Sequence, residues 1–163
     1  MKQRTIGRLK KVSGKLRRIW VGPDRPREQE EEMRLLVVDG EESICFSMKE
    51  YFTLQGYQVD TARELEEAER LVETGDYEVV IQDLRLGPAQ KPDGLQMIKF
   101  IRDQNPRTII IVLTAYGSAE MEEEAFRDGA DAFLRKPKPL SHVAQVIQGL
   151  IESPPKQAAH GAA

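Results

Sequence analysis

Four short apolar runs in this chain stop at, or two residues before, a side chain that can carry chemistry. Leu35 to Val38 ends at Asp39, Val79 to Ile81 runs into Asp83, Thr108 to Leu113 ends at Thr114, and Ala132 to Leu134 leads to Lys136. Unbroken apolar runs of this length mark strands buried on both faces, which points to a parallel sheet covered by helices. Parallel strands need long crossovers, and the segments between the runs supply them.

Ile44, Met48, Tyr51 and Phe52 recur at helical spacing, and Gly56 closes that helix. Tyr57 to Asp60 reads as a further strand with Val59 inward. Arg63 to Thr74 sets Leu65, Ala68, Leu71 and Val72 among Glu64, Glu66, Glu67 and Glu69, an amphipathic surface helix that Gly75 ends. Asp93 reads as the N-cap of a helix striped by Leu95, Ile98 and Ile101, which stops before Asn105-Pro106. Helices over about Ala119 to Arg127 and Leu140 to Ile151 complete the pattern. This alternation predicts an α/β fold: a doubly wound, five-stranded parallel sheet with five flanking helices and right-handed crossovers. Such sheets bind ligands at the carboxyl ends of their strands, so Asp39, Asp83, Thr114 and Lys136 are expected to converge.

Those residue types suit an acyl phosphate site. Two carboxylates hold Mg²⁺ in an oxygen shell completed by a backbone carbonyl and waters, and one of them can be the nucleophile that takes a phosphoryl group. A hydroxyl and an ammonium then meet the phosphoryl oxygens, where charge must be stabilised in transfer. A lone strand-end aspartate is more often a cap or turn residue, and a lone lysine a solvated charge; the order of the four, their placement and the Lys136-Pro137 context raise the set above that.

The segments LLVVDGEES (Leu35 to Ser43), VVIQDLRL (Val79 to Leu86), the Asp93-Gly94 pair, IIIVLTAYG (Ile109 to Gly117) and DGADAFLRKP (Asp128 to Pro137) together resemble the receiver domains of two-component response regulators, the CheY-like fold, over about Met33 to Ile151. The resemblance implies that Asp83 is the phosphoacceptor, that Thr114 engages the phosphoryl group and that Lys136 pairs with it. It implies Mg²⁺ held by Asp39, Asp83 and the backbone carbonyl of Arg85, whose side chain has no part in that role. It makes Phe133 the aromatic switch, turning inward as Thr114 shifts and changing the face built by the fourth helix, fifth strand and fifth helix. A static core aromatic is the plain alternative for Phe133. A cis Lys136-Pro137 peptide that orients the lysine is expected on the same ground. The implied partners are a sensor histidine kinase or phosphotransfer protein and a downstream protein. No enzyme activity is implied beyond self-catalysed phosphoryl transfer and autodephosphorylation.

Two positions depart from the family pattern. Where the family has two adjacent acids after the first strand, this chain has Asp39-Gly40, which removes a charged ligand and lowers the expected Mg²⁺ affinity, with Glu41 or Glu42 as substitute ligands. Two readings therefore stand: a phosphorylated receiver, and a degenerate, phosphorylation-independent receiver acting as an interaction scaffold. The loop from Gly87 to Pro92 is about three residues longer than the family's usual link, a change that loops tolerate at little cost.

Charge divides the chain as its pattern does. Residues 1 to 32 hold ten basic and five acidic side chains, a net +5, which leaves -8 for the rest of a chain whose total is -3. Ile6, Leu9, Val12, Leu16, Ile19 and Trp20 recur at steps of three and four, so a basic amphipathic helix is expected there, weakened by Gly7 and Gly14. Such a helix suits an anionic membrane surface, a partner groove or nucleic acid. The other reading of residues 1 to 32, with Met33 directly before the first strand, is upstream sequence read through from a wrong start codon. The expected organisation is this extension and acidic linker over 1–32, the receiver domain over 33–151, and a disordered tail over 152–163, with no output domain after the last helix.

Other classes are disfavoured. No apolar stretch approaches the roughly 20 residues of a membrane span, and the single cysteine excludes a disulfide framework, so a cytoplasmic protein is expected, peripheral at a membrane only through residues 1–20. The Gly-x-x-x-x-Gly-Lys loop of nucleotide hydrolases is absent, and acids after the first strand would repel the phosphate of a flavin. Cys45 reads as a helix residue near the core, and His142 and His160 as solvated.

Overall fold

The apolar runs become strands because each offers side chains to both faces of a sheet. In a computed structural model of the protein, residues 32–153 are described except 88, 90 and 91, together with the backbone of 10–12 and 15–17. β1 (Arg34–Val38) buries its four apolar residues, Leu35 and Val37 on one face and Leu36 and Val38 on the other, as the strand period of two requires. β2 (Gln58–Ala62), β3 (Val79–Gln82), β4 (Ile109–Thr114) and β5 (Ala132–Arg135) complete a sheet of order β2-β1-β3-β4-β5. Every neighbouring pair is parallel.

Helices α1 (Glu42–Leu54), α2 (Leu65–Thr74), α3 (Gly94–Gln104), α4 (Ala119–Asp128) and α5 (Leu140–Glu152) alternate with the strands. Met48 and Phe52 of α1 and Val143 and Ile147 of α5 pack on Leu35, Val37, Ile81, Ile111 and Leu113. On the opposite face Ala68 of α2, Met97, Ile98 and Ile101 of α3 and Ala125 of α4 pack on Leu36, Val38, Val80, Ile110 and Val112. Two apolar layers thus clamp the sheet, and truncation of the fully buried Phe52 to alanine would cost about 3–5 kcal/mol. This is the doubly wound architecture that the alternation predicts.

Local differences have physical causes. β2 runs to Ala62 instead of ending at Asp60, because its pairing with β1 continues to Val38↔Ala62, and α2 accordingly begins at Leu65. Asp93 stands at the N-cap position of α3 but is itself helical in backbone (φ -76°, ψ -11°), and its side chain makes no capping bond. The capping side chain is found on α4, where Ser118 Oγ accepts from the Met121 N–H at 3.2 Å. Gly94 matters more than Asp93. A Cβ there would lie 2.4 Å from the Asp83 carbonyl oxygen and 2.5 Å from Leu84 Cα, so only glycine lets α3 start against the strand end that carries Asp83.

Residues Met1–Glu31 and Glu32–Ala163 form two separate compact units. In the first, Lys10–Val12 and Lys15–Arg17 pair antiparallel with Lys11 opposite Leu16, a hairpin where the spacing of apolar residues predicts helix. The Ser13-Gly14 pair between them is a turn-forming dipeptide, and glycine at 14 costs a helix about 1 kcal/mol. The rest of that extension, with its expected membrane or partner contacts, and residues 154–163 of the tail lie outside the described residues. No helix among the described residues is long and apolar enough to cross a membrane.

Candidate functional site

The strand order reverses about β1, and in open α/β sheets the crevice at such a point is where ligands bind. Asp39 leaves β1 and Asp83 leaves β3 on either side of it, both held by ladder bonds that continue past the strands. Asp39 N–H donates to the Ala62 carbonyl at 3.0 Å and Asp83 N–H to the Val38 carbonyl at 2.8 Å. Thr114 is the last residue of β4, and the N–H of Lys136, just past β5, donates to its carbonyl at 2.8 Å. The backbone thereby places all four residues before any side chain is considered.

Their side chains form one network. Lys136 Nζ donates to Asp39 Oδ2 at 2.6 Å and to Asp83 Oδ2 at 3.0 Å. Thr114 Oγ1 donates to Asp83 Oδ1 at 2.7 Å, and the Arg85 N–H reaches the same oxygen at 3.3 Å. The Glu41 N–H donates to Asp39 Oδ1 at 2.9 Å, and the Tyr116 N–H to Thr114 Oγ1 at 3.2 Å. Asp39, Asp83 and Thr114 are all buried, where an unpaired charge costs several kcal/mol. One ammonium between two carboxylates leaves a net negative charge. Burial raises the pKa of Asp39, opposed by the bond from Lys136 and the Glu41 N–H and reinforced by the charge of Asp83. Burial alone would lower the pKa of Lys136, but hydrogen bonds and attraction from Asp39 and Asp83 outweigh it and the value is raised, so the lysine stays charged.

Two converging carboxylates with a residual negative charge, both with oxygen atoms only, fit a hard divalent cation. The expected substitute ligands do not join them. Among the described residues no three acids, histidines or cysteines gather into a metal-holding group. Glu41, at the N-cap of α1, is exposed and contributes its N–H to Asp39. The Glu42 carboxylate lies 3.5 Å from Arg63 Nη1. Arg85 is two residues past Asp83, and its guanidinium lies over the Tyr116 ring at 4.4 Å.

Phe133, on β5, is partly buried against the core and its ring rests on Gly117, where a Cβ would come within 2.6 Å of Cζ. Arg135 braces the same place: it donates to the Gly117 carbonyl, pairs with Glu122 at 2.6 Å and covers the Phe133 ring at 5.3 Å. The Lys136-Pro137 peptide is cis. Cys45 is buried on α1 with Sγ donating to the Asp39 carbonyl at 3.3 Å, and burial raises its pKa, away from nucleophilic use. His142 is exposed, and His160 lies outside the described residues.

Sequence patterns missed Gly117, Arg135 and Arg63. Arg63 had a signal: it stands just past β2, and with that strand placed to Ala62 the strand-end rule would have included it. Its guanidinium donates to the Gly40 carbonyl from Nε at 3.3 Å and Nη2 at 3.2 Å.

The sequence model of the response regulator receiver domain matches residues 35–148. The regulatory protein AtoC of Escherichia coli (strain K12) is 30% identical over 119 residues, covering 73% of this chain and 25% of that protein. A response regulator from Burkholderia pseudomallei, solved with a phosphorylated aspartic acid, calcium ion and citrate, superposes with a TM-score of 0.64 at 30% identity over 76% of each chain. The beryllofluoride-activated NtrC4 receiver domain dimer gives 0.65 at 34% identity, over 73% of this chain and 96% of that one. The match spans 25% of the length of the first two curated relatives and 46% of the next.

Proposed function

This chain belongs to the response regulator receiver domain family, and on that premise we propose that Asp83 accepts a phosphoryl group from a histidine kinase or phosphotransfer protein. One observation carries the reading. The two oxygens of the buried Asp83 carboxylate are met by the Thr114 hydroxyl at 2.7 Å and the Lys136 ammonium at 3.0 Å, the two groups a transferred phosphoryl needs beside it.

In the transfer an Asp83 oxygen attacks phosphorus, the P–O bond forms as the P–N bond of the donor phosphohistidine breaks, and the electron pair stays on the imidazole nitrogen. Lys136, already charged and fixed between the carboxylates, turns an N–H toward the new phosphoryl oxygens. Thr114 releases Asp83 Oδ1 and follows. Asp39, Asp83 and the Arg85 carbonyl would hold Mg²⁺, which when bound supplies positive charge opposite the phosphoryl oxygens. Among the described residues no third acid gathers with Asp39 and Asp83, which supports weak binding.

The output, in this reading, is a changed protein-binding face on α4, β5 and α5. As Thr114 moves, the loop after it and the Phe133 ring that rests on Gly117 must readjust together. The chemistry stops at the chain's own phosphorylation and hydrolysis. The test is incubation of the purified chain with acetyl phosphate and Mg²⁺, with Asp83→Asn as control. An acid-stable, base-labile adduct in the parent alone is expected; no adduct at saturating Mg²⁺ overturns the reading in favour of a phosphorylation-independent scaffold.

A further inference from the structure

Arg63 fixes a permanent positive charge against the one position of the site where an expected acid is missing. Its guanidinium holds the Gly40 carbonyl through two N–H groups at 3.2 and 3.3 Å, and Nη1 lies 3.5 Å from Glu42 Oε2. Its own backbone is pinned as well: the carbonyl accepts from the Gly87 N–H at 3.1 Å, and the N–H donates to Glu67 Oε2 at 3.0 Å. The side chain therefore ties the β1–α1 turn to the start of α2.

Taking Asp39 and Asp83 as the divalent-cation ligands, as proposed above, we propose that Arg63 is a specificity-determining residue of that site and sets its affinity for Mg²⁺ low. Two effects act in the same direction. A guanidinium does not deprotonate in a protein, so its charge opposes an incoming divalent cation at every working pH. It also pairs with Glu42, an acid close enough in sequence to replace the missing ligand, and so competes with the metal for that carboxylate. The side chains of Arg63 and Glu42 are 53% and 83% exposed, so water and salt screen both effects and leave a moderate one. An acid introduced at position 40 would stand on the residue whose carbonyl the guanidinium holds, so the charge of one bears on the other. The substitutions Gly40→Asp and Arg63→Gln are therefore coupled.

The test is titration calorimetry of the full chain with MgCl₂ at low ionic strength, without any phosphodonor. Arg63→Gln should tighten Mg²⁺ binding about three- to tenfold, and the gain should shrink as NaCl is added. Arg63→Lys, which keeps the charge, should stay within about twofold of the parent. Gly40→Asp should gain more in the Arg63→Gln background than alone. An Arg63→Gln affinity within twofold of the parent, or Arg63→Lys matching Arg63→Gln, overturns the inference about Arg63 while leaving the metal site intact. Absence of Mg²⁺ binding in every variant, Gly40→Asp included, overturns the metal reading itself and this inference with it.

Discussion

Replacing Lys136 by methionine keeps most of the side chain's volume and removes only the charge that joins Asp39 to Asp83. The ammonium stands 2.6 and 3.0 Å from the two carboxylates, whose side chains are 5% and 9% exposed against 16% for the lysine. At an effective dielectric constant near 20, each contact is a gross attraction of about 6 kcal/mol, offset by several kcal/mol for withdrawing each ion from water. Unfolding reads the net, and removing one partner of a buried pair costs about 3–5 kcal/mol because the other is left uncompensated. The loss must also depend on pH. Asp39 already has a raised pKa, and without the ammonium that lowers it the value rises further. A carboxyl with a folded pKa above its unfolded value of about 3.9 favours the fold in its protonated form, so the variant regains stability as pH falls from neutrality toward that value. Urea unfolding followed by far-UV circular dichroism, in EDTA at pH 7.5 and pH 5, measures both. We expect a deficit of about 3–5 kcal/mol at pH 7.5, smaller at pH 5, and largely recovered in Lys136→Met/Asp39→Asn. A deficit under about 1 kcal/mol at pH 7.5, or one that is equal at both pH values, would refute the reasoning.

Tyr77 offers a second titration. Its buried phenol donates to Asp60 Oδ2 at 2.8 Å, and burial followed by that bond pushes its pKa up to about 12. The neutral phenol's contribution is complete below the unfolded value near 10 and lost as pH rises through 12, about 1.4 kcal/mol of it by pH 11. Tyr77→Phe should lose less stability than the parent between pH 8 and pH 11 in chemical denaturation; parallel losses count against the assignment. Gly117→Ala would place a Cβ 2.6 Å from Phe133 Cζ and 2.8 Å from Cε1, overpacking that costs about 1–3 kcal/mol. Adding Phe133→Leu should relieve most of that cost in thermal unfolding, and a purely additive double variant would show that the two residues do not share the space.

Much of this molecule was legible because burial writes itself into sequence. Leu35 to Val38 cannot be buried on both faces in anything but a central strand, and once the strands are placed, Asp39, Asp83, Thr114 and Lys136 fall at one end of the sheet by topology alone. Interactions across loops leave no such trace. Arg63 reaches Gly40 over 23 positions, and Arg135 reaches Gly117 over 18, with no periodicity to announce either. Proximity in sequence puts Glu41 near the site, but what reaches Asp39 is its N–H, while its side chain is exposed. Polar residues concealed the end of β2, since Asp60 and Thr61 look like a loop until Val38 pairs with Ala62. At the amino terminus, two competing patterns coexist in Lys10 to Arg17, and antiparallel pairing of Lys10–Val12 with Lys15–Arg17 prevails over the helical spacing.

The central claim is that Asp83 is the phosphoacceptor. Borohydride reduces an aspartyl phosphate to homoserine, so treatment of the chain after acetyl phosphate and Mg²⁺, followed by peptide mass mapping, places the modification at a residue. The account predicts homoserine at position 83, lost in Asp83→Asn; reduction at any other acid, or none at all under saturating Mg²⁺, would contradict it.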